Sequence, residues 1–214
     1  MTSSKSCWMN CHAERARHAT RPDCMGIDAM TLARQLPELG FLNELFSLDS
    51  ENGVLYWKER PLSTFESIHQ GKVWITQNAG KAAGTPLPSG YIRIRIGKRQ
   101  IMAHRIIFAM FNGFDPVGFE IDHIDGDRKN NSVSNLRLVT SSENKMNLGG
   151  AKKGNKSGFL NINWHSIGKK WRAEITVNGK GLYLGLFSDI NDAREAVKLS
   201  REKYYGEFSS RYSA

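Results

Sequence analysis

Residues 118–147, GFEIDHIDGDRKNNSVSNLRLVTSSENKMN, read as two short strands around a polar loop, followed at once by a helix start. The first strand ends at Asp122-His123. The second is SNLRLVT, where Leu136 and Leu138 alternate with Arg137 and Val139, the period that sends successive side chains to opposite faces. Thr140 followed three residues later by Glu143 is a capping box, so a helix begins there with Asn144 in its first turn. A strand–strand–helix unit is expected to gather Asp122, His123 and Asn144 from a span of 23 positions.

These residue types suit phosphodiester hydrolysis. The carboxylate of Asp122 and the amide oxygen of Asn144 are hard donors for Mg²⁺ that leave room for waters and a phosphate oxygen. Such an ion stabilises charge on the phosphorane and on the leaving 3′ oxygen. A neutral imidazole beside it, His123, can take a proton from the attacking water near neutral pH. Asn135 is expected to tie down the loop and orient that imidazole. A purely structural reading stands beside this one: Asp125-Gly126-Asp127 is a turn, and Asn130-Asn131 favours tight loop conformations. An EF-hand is excluded, because with Gly126 as its invariant glycine the first ligand position would be Ile121.

Working outward, GYIRIRIGKRQIMAH (90–104) reads as a hairpin turning at Gly97-Lys98. Its isoleucines alternate with Arg93 and Arg95, which either track a phosphate backbone or form a solvated strand face. AHRIIFAMFNG (103–113) is a helix with Ile106, Ile107, Met110 and Phe111 as its apolar stripe and Gly113 as its stop. His104 and Arg105 open it and are read as structural or phosphate-contacting. Further upstream, GVLYWKE (53–59) is a strand, and TLARQLPELGFLNELF (31–46) a short helix interrupted at Pro37.

Downstream, GGAKKGNKSG (149–158) reads as a solvated linker. Three strands follow near 159–164, 171–178 and 181–187. A helix over 190–204 comes next, with Asp189 as N-cap and Ile190, Ala193, Val197, Leu199 and Tyr204 near its apolar side. Residues 150–187 carry seven cations against Glu174 alone, so this sheet is either a DNA-facing ribbon or a charged sheet with no ligand.

Composition sets the frame. The chain has 214 residues, a formal net charge of +9, 40% hydrophobic and 10% aromatic residues. That allows packed cores and favours a polyanionic partner. No run approaches the roughly 18 apolar residues of a membrane span, and residues 1–30 lack a secretory apolar region. A soluble, cytoplasmic protein, monomeric rather than oligomeric, is expected. Cys7, Cys11, His12 and Cys24 lie in this basic leader, which is read as either disordered or a zinc site of no common spacing.

AHRIIFAMFNG followed by IDHIDGDRKNNSVSNLRLVTSSENKMN resembles the HNH endonucleases of phage and mobile introns. The resemblance extends over roughly residues 50–147 when GVLYWK and AGTPLPSGYIRIRI are included. It implies that Asp122 and Asn144 hold the metal, that His123 is the general base, and that Asn135 is the middle asparagine holding the loop. Many members carry His where this chain has Asn144, which leaves the choice of ion open; Mg²⁺ is expected, with Mn²⁺ as the alternative. Residues 157–208, with KWRAEI, YLGLF and DAREA, resemble the APETALA2-type DNA-binding domain found fused to phage HNH nucleases. That family binds DNA through the exposed face of its sheet. The matching candidates here are Asn161, Asn163, Lys170, Arg172, Glu174, Thr176 and Tyr183. The arginine-rich first strand of the plant factors is replaced by FLNIN, so their target sequence does not transfer.

The expected protein is α+β. Its β-rich N-terminal region leads into a strand–strand–helix HNH metal hairpin, and a three-stranded antiparallel sheet backed by one helix follows. The expected domains are a leader (1–40), a nuclease domain (41–148), a linker (149–158) and a DNA-binding domain (159–208). The expected partner is double-stranded DNA. The rival reading is a non-catalytic DNA-binding protein with a degenerate nuclease domain.

Overall fold

A computed structural model describes residues 35–147, 150–151 and 154–209. The leader with Cys7, Cys11, His12 and Cys24 lies outside the described residues. The chain divides into two units between Val139 and Thr140.

In the first unit, helix α1 (Leu39–Leu45) begins just beyond Pro37 and buries Leu42 and Leu45. It ends where strand β1 (Phe46–Asp49) pairs antiparallel with β2 (Val54–Trp57). Of the helix expected over 31–46, the described residues are helical only at Leu39–Leu45: residues 35–38 are not helical, and Phe46 is extended opposite Trp57. Helix α2 (Ile68–Asn78) went unread in the sequence, although Ser67 is a good N-cap and its side chain accepts from the Gln70 amide at 3.2 Å. Strand β3 (Thr85–Pro86) then edges the expected hairpin of β4 (Ile92–Ile96) and β5 (Arg99–Met102). Gly97 supplies the positive φ, +59°, at its two-residue turn.

Helix α3 (Ala103–Asn112) stops at Gly113, which adopts the left-handed conformation at φ +76°. Its inner face includes Ile106, Ile107, Phe108 and Ala109, while Phe111 is 43% exposed. The expected stripe thus erred by taking Phe111 for the inward aromatic in place of Phe108. Strands β6 (Glu120–His123) and β7 (Leu136–Val139) form a separate antiparallel pair. All four β7 residues are buried, so its alternation marks two covered faces rather than one dry and one wet. The core of this unit runs from Leu42 and Phe46 through Leu55, Ile94 and Ile106 to Leu136.

The second unit opens with helix α4 (Ser141–Met146), whose Thr140–Glu143 capping box is fully formed. Strands β8 (Ile162–His165), β9 (Lys170–Val177) and β10 (Lys180–Phe187) make one antiparallel sheet with β9 central. Helix α5 (Ile190–Tyr205) backs it, with Asp189 accepting from the Asn191 amide at 2.8 Å. Its buried positions are Ala193, Val197, Arg201 and Tyr205, a strict four-residue step. Leu199 and Tyr204, read as inward, are 57% and 44% exposed.

The division at 139/140 rather than near 148 has a packing cause. Met146 packs on the second core, and Arg201 donates to its carbonyl at 2.5 Å. The stretch read as a linker also folds at its C-terminal end. Ser157 is buried, accepts from Phe159 N, and donates to Ile162 O at 2.7 Å. No helix among the described residues is long and apolar enough to cross a membrane.

Candidate active site

The β6–β7 register sets Asp122 opposite Arg137 and His123 opposite Leu136. Asp122 and Arg137 are both buried, and Arg137 Nε donates to Asp122 Oδ2 at 3.0 Å. His123 is 3% exposed, and its Nε2 lies 2.9 Å from Asn131 Oδ1. Its ring packs edge-on to His104 at 5.1 Å and lies 6.0 Å from the ring of Tyr91. Asp122 and His123 are neighbours in sequence that face opposite sides of the hairpin: a carboxylate on a guanidinium, an imidazole on an amide.

The loop between the strands is built from its own polar side chains. Asn135 Oδ1 accepts from Asp125 N at 3.0 Å, while Asn135 Nδ2 donates to Asp125 Oδ1 and Asn130 O. Asn130 Nδ2 adds a bond to Asp125 Oδ2 at 2.7 Å. Partial burial works against ionising Asp125, but these bonds, the Asp127 amide and His123 together hold its pKa below the ordinary carboxylate range. Asn135 therefore ties the loop, whereas the residue that touches the imidazole is Asn131. The sequence reading took Asn131 as turn chemistry only; its pairing with His123 carries no short-range signal.

His104 and Arg105 have internal roles. Arg105 donates to Phe119 O and Pro116 O at 3.0 and 3.2 Å, tying α3 to the segment entering β6. His104 is buried between Tyr91 and His123. Burial, with the charges of His123 and Arg105, pushes its pKa down to about 3. His104 is thus packed between two rings and the Arg105 guanidinium is turned to backbone carbonyls, so both side chains are engaged within the fold. The unfolded chain protonates His104 near 6.5 and the folded one near 3, so between these values the unfolded state holds more protons. Stability is full above pH 6.5 and falls by up to about 1.4 kcal/mol per pH unit below it. In urea titrations, His104→Phe is expected to lose less stability than the parent between pH 7 and pH 5. Parallel losses would refute this.

Arg93 donates to Gln100 Oε1 at 2.9 Å and Arg95 to Gly97 O at 3.1 Å, on the cationic side of β4. In the second unit, Asn144 lies in α4, with its backbone N–H donating to Thr140 O. Asn163, Arg172, Glu174 and Thr176, joined by Trp164 and His165, line one shallow concavity of about 580 Å³ on the sheet. Arg172 pairs with Glu174 and lies 5.7 Å from the Tyr183 ring centroid; Lys170 is exposed beside them. Asn161 also borders the concavity, but its side chain faces inward: Nδ2 donates to Glu174 O and Oδ1 accepts from Arg201. Its positive φ, 68°, marks it as a structural corner rather than a free DNA contact.

Residues 102–146 match the family model of the HNH endonucleases. That segment holds β6, the Asn130–Asn135 loop, β7 and α4. The chain is 38% identical over 77 residues to Protein 3.8 of Escherichia phage T7, covering 36% of this chain and 63% of that one. It is 31% identical over 124 residues to an uncharacterized HNH endonuclease of Acanthamoeba polyphaga mimivirus, covering 57% and 62%. The chain thus spans less than two thirds of either relative's own length. A solved structure, described as DNA binding and cleavage by the HNH homing endonuclease I-HmuI, aligns with a TM-score of 0.36 and 23% identity, covering 78% of this chain and 85% of that one.

The donor types are those that suit a hard cation: Asp122 in the first unit carries an anionic oxygen, and Asn144 in the second a neutral one. Among the described residues there is no cluster of three or more His, Cys, Asp or Glu side chains that could hold a metal more fully.

Proposed function

We propose that this protein is a metal-dependent DNA endonuclease of the phage or homing type, hydrolysing phosphodiester bonds with preference for particular sites. The observation that carries the reading is the buried Asp122-His123 pair, with His123 seated on an amide, inside a segment that matches the HNH endonuclease model. In this reading Asp122 and Asn144 hold Mg²⁺ or Mn²⁺, which when bound offsets charge on the scissile phosphate and the leaving oxygen. His123 accepts the proton of the attacking water. The water oxygen bonds to phosphorus as the P–O3′ bond breaks, and solvent returns a proton to the 3′ oxygen. Asn135 keeps the loop folded around the base.

The second unit supplies DNA affinity through the face bearing Asn163, Lys170, Arg172, Glu174, Thr176 and Tyr183, in the manner of an APETALA2-type sheet. Arg93 and Arg95 add phosphate contacts from the first unit.

The test is supercoiled plasmid incubated with the full chain, with Mg²⁺ or with chelator. Nicked and linear forms are expected with the ion alone. A second reading has one observation in its favour: Arg137 already occupies one oxygen of Asp122 with a positive charge. If plasmid is retarded on a gel yet uncut with Mg²⁺ and Mn²⁺, the protein is a non-catalytic DNA binder.

A further inference from the structure

We infer that Asn131 is the positioning residue of His123: its amide oxygen takes the Nε2 proton and leaves the lone pair on Nδ1. The inference rests on the nuclease reading and adds to it the nitrogen that acts as base and the side chain that selects it.

The amide is 1% exposed. Its oxygen lies 2.9 Å from His123 Nε2, and its Nδ2 is buried with no hydrogen-bond partner among the described residues. An unsatisfied buried donor is costly, so within the fold this side chain is justified by its oxygen. The backbone beneath it is wedged in place. The turn between β1 and β2 presses on it at Gly53, φ +64°, where a Cβ would lie 2.0 Å from the Asn131 carbonyl carbon. Ser50 O accepts from Val133 N at 3.1 Å alongside. A turn far upstream in the sequence, at Ser50–Gly53, thus fixes the amide's place, and the imidazole is held between that amide and the ring of His104.

A neutral imidazole carries one N–H and one lone pair, and the partner of one nitrogen decides the state of the other. The same heavy-atom positions accommodate the amide turned over, with Nδ2 donating to Nε2 and the proton on Nδ1. The chemistry separates the two arrangements. Nε2 is covered by the amide in both, so a base that takes a proton from water must use Nδ1, and Nδ1 must be bare.

The experiment is long-range ¹H–¹⁵N correlation on the ¹⁵N-labelled full chain, without metal or DNA, at a pH about two units above the ordinary histidine value of roughly 6.5. His123→Ala identifies the signal. The expected pattern is a pyrrole-type Nε2 and a pyridine-type Nδ1. Asn131→Leu should lose that pattern and slow nicking by about 10–100-fold, the range for removing an orienting partner, with DNA affinity unchanged. Asn131→Asp keeps an acceptor and should keep the pattern. A pyrrole-type Nδ1 in the parent, or an Asn131→Leu chain with parental pattern and rate, overturns the inference. An Nδ1-protonated His123 in a chain that nicks plasmid rejects the role of Asn131 alone. The expected tautomer in a chain that nicks under no ion rejects the nuclease reading.

Discussion

His123→Ala is expected to reduce plasmid nicking by about 10²–10⁴-fold, the usual worth of a positioned general base, while DNA affinity stays within a few-fold of the parent. The imidazole is buried against Asn131 and His104, so it adds little to the charge that attracts the phosphate backbone. Loss of cleavage without loss of binding therefore separates the chemical step from association. Removing the buried ring leaves a cavity and deprives Asn131 of its partner, so a fall in melting temperature should accompany the loss. Near-parental nicking at neutral pH in Mg²⁺ would sink the assignment of the base.

Arg201→Ala is expected to be the most damaging single change in the second unit. Arg201 is 2% exposed, donates to Met146 O and Asn161 Oδ1, and lies 4.9 Å from the Tyr205 ring centroid. Its removal strips two partly buried oxygens of a charged donor and opens a cavity beneath the helix. Hydrogen bonds to a charged group are worth roughly 1.5–3 kcal/mol each, so a loss of about 3–5 kcal/mol follows. At about 4–8 °C per kcal/mol for a domain of this size, the unit should melt at least about 12 °C lower by calorimetry. Arg201→Lys, which keeps the charge but cannot reach both oxygens in one plane, should recover only part of that. An unaltered melting profile for Arg201→Ala would show that these bonds do not hold α4 and the sheet together.

What the sequence disclosed follows from which forces act locally. The β4–β5 hairpin, the Gly113 stop, the Thr140 capping box and the Asp189 cap were legible because turn, cap and alternation are short-range signals. Arg201 was not legible: a cation at the fourth step of an apolar stripe reads as a solvated edge until its partners, 40 and 55 residues away, are known. For the same reason Leu199 and Tyr204 were read inward in its place. Within the candidate site, Asp122, His123, Asn135 and Asn144 stood out by spacing and residue type. Asn131, Arg137 and Gly53 did not, since their parts depend on register across β6–β7 and on a distant turn.

The buried Asp122–Arg137 pair bears on how such a chain would change over generations. Two charges withdrawn from water are recovered only in part by their attraction. Exchanging a buried pair for apolar residues of like volume is often neutral, or stabilising by about 1–4 kcal/mol. Selection for a sturdy fold alone would thus tend to erase the pair, while loss of one partner without the other is punished. On the proposed nuclease reading, descendants in which cleavage has lapsed should drift to apolar residues at both positions together.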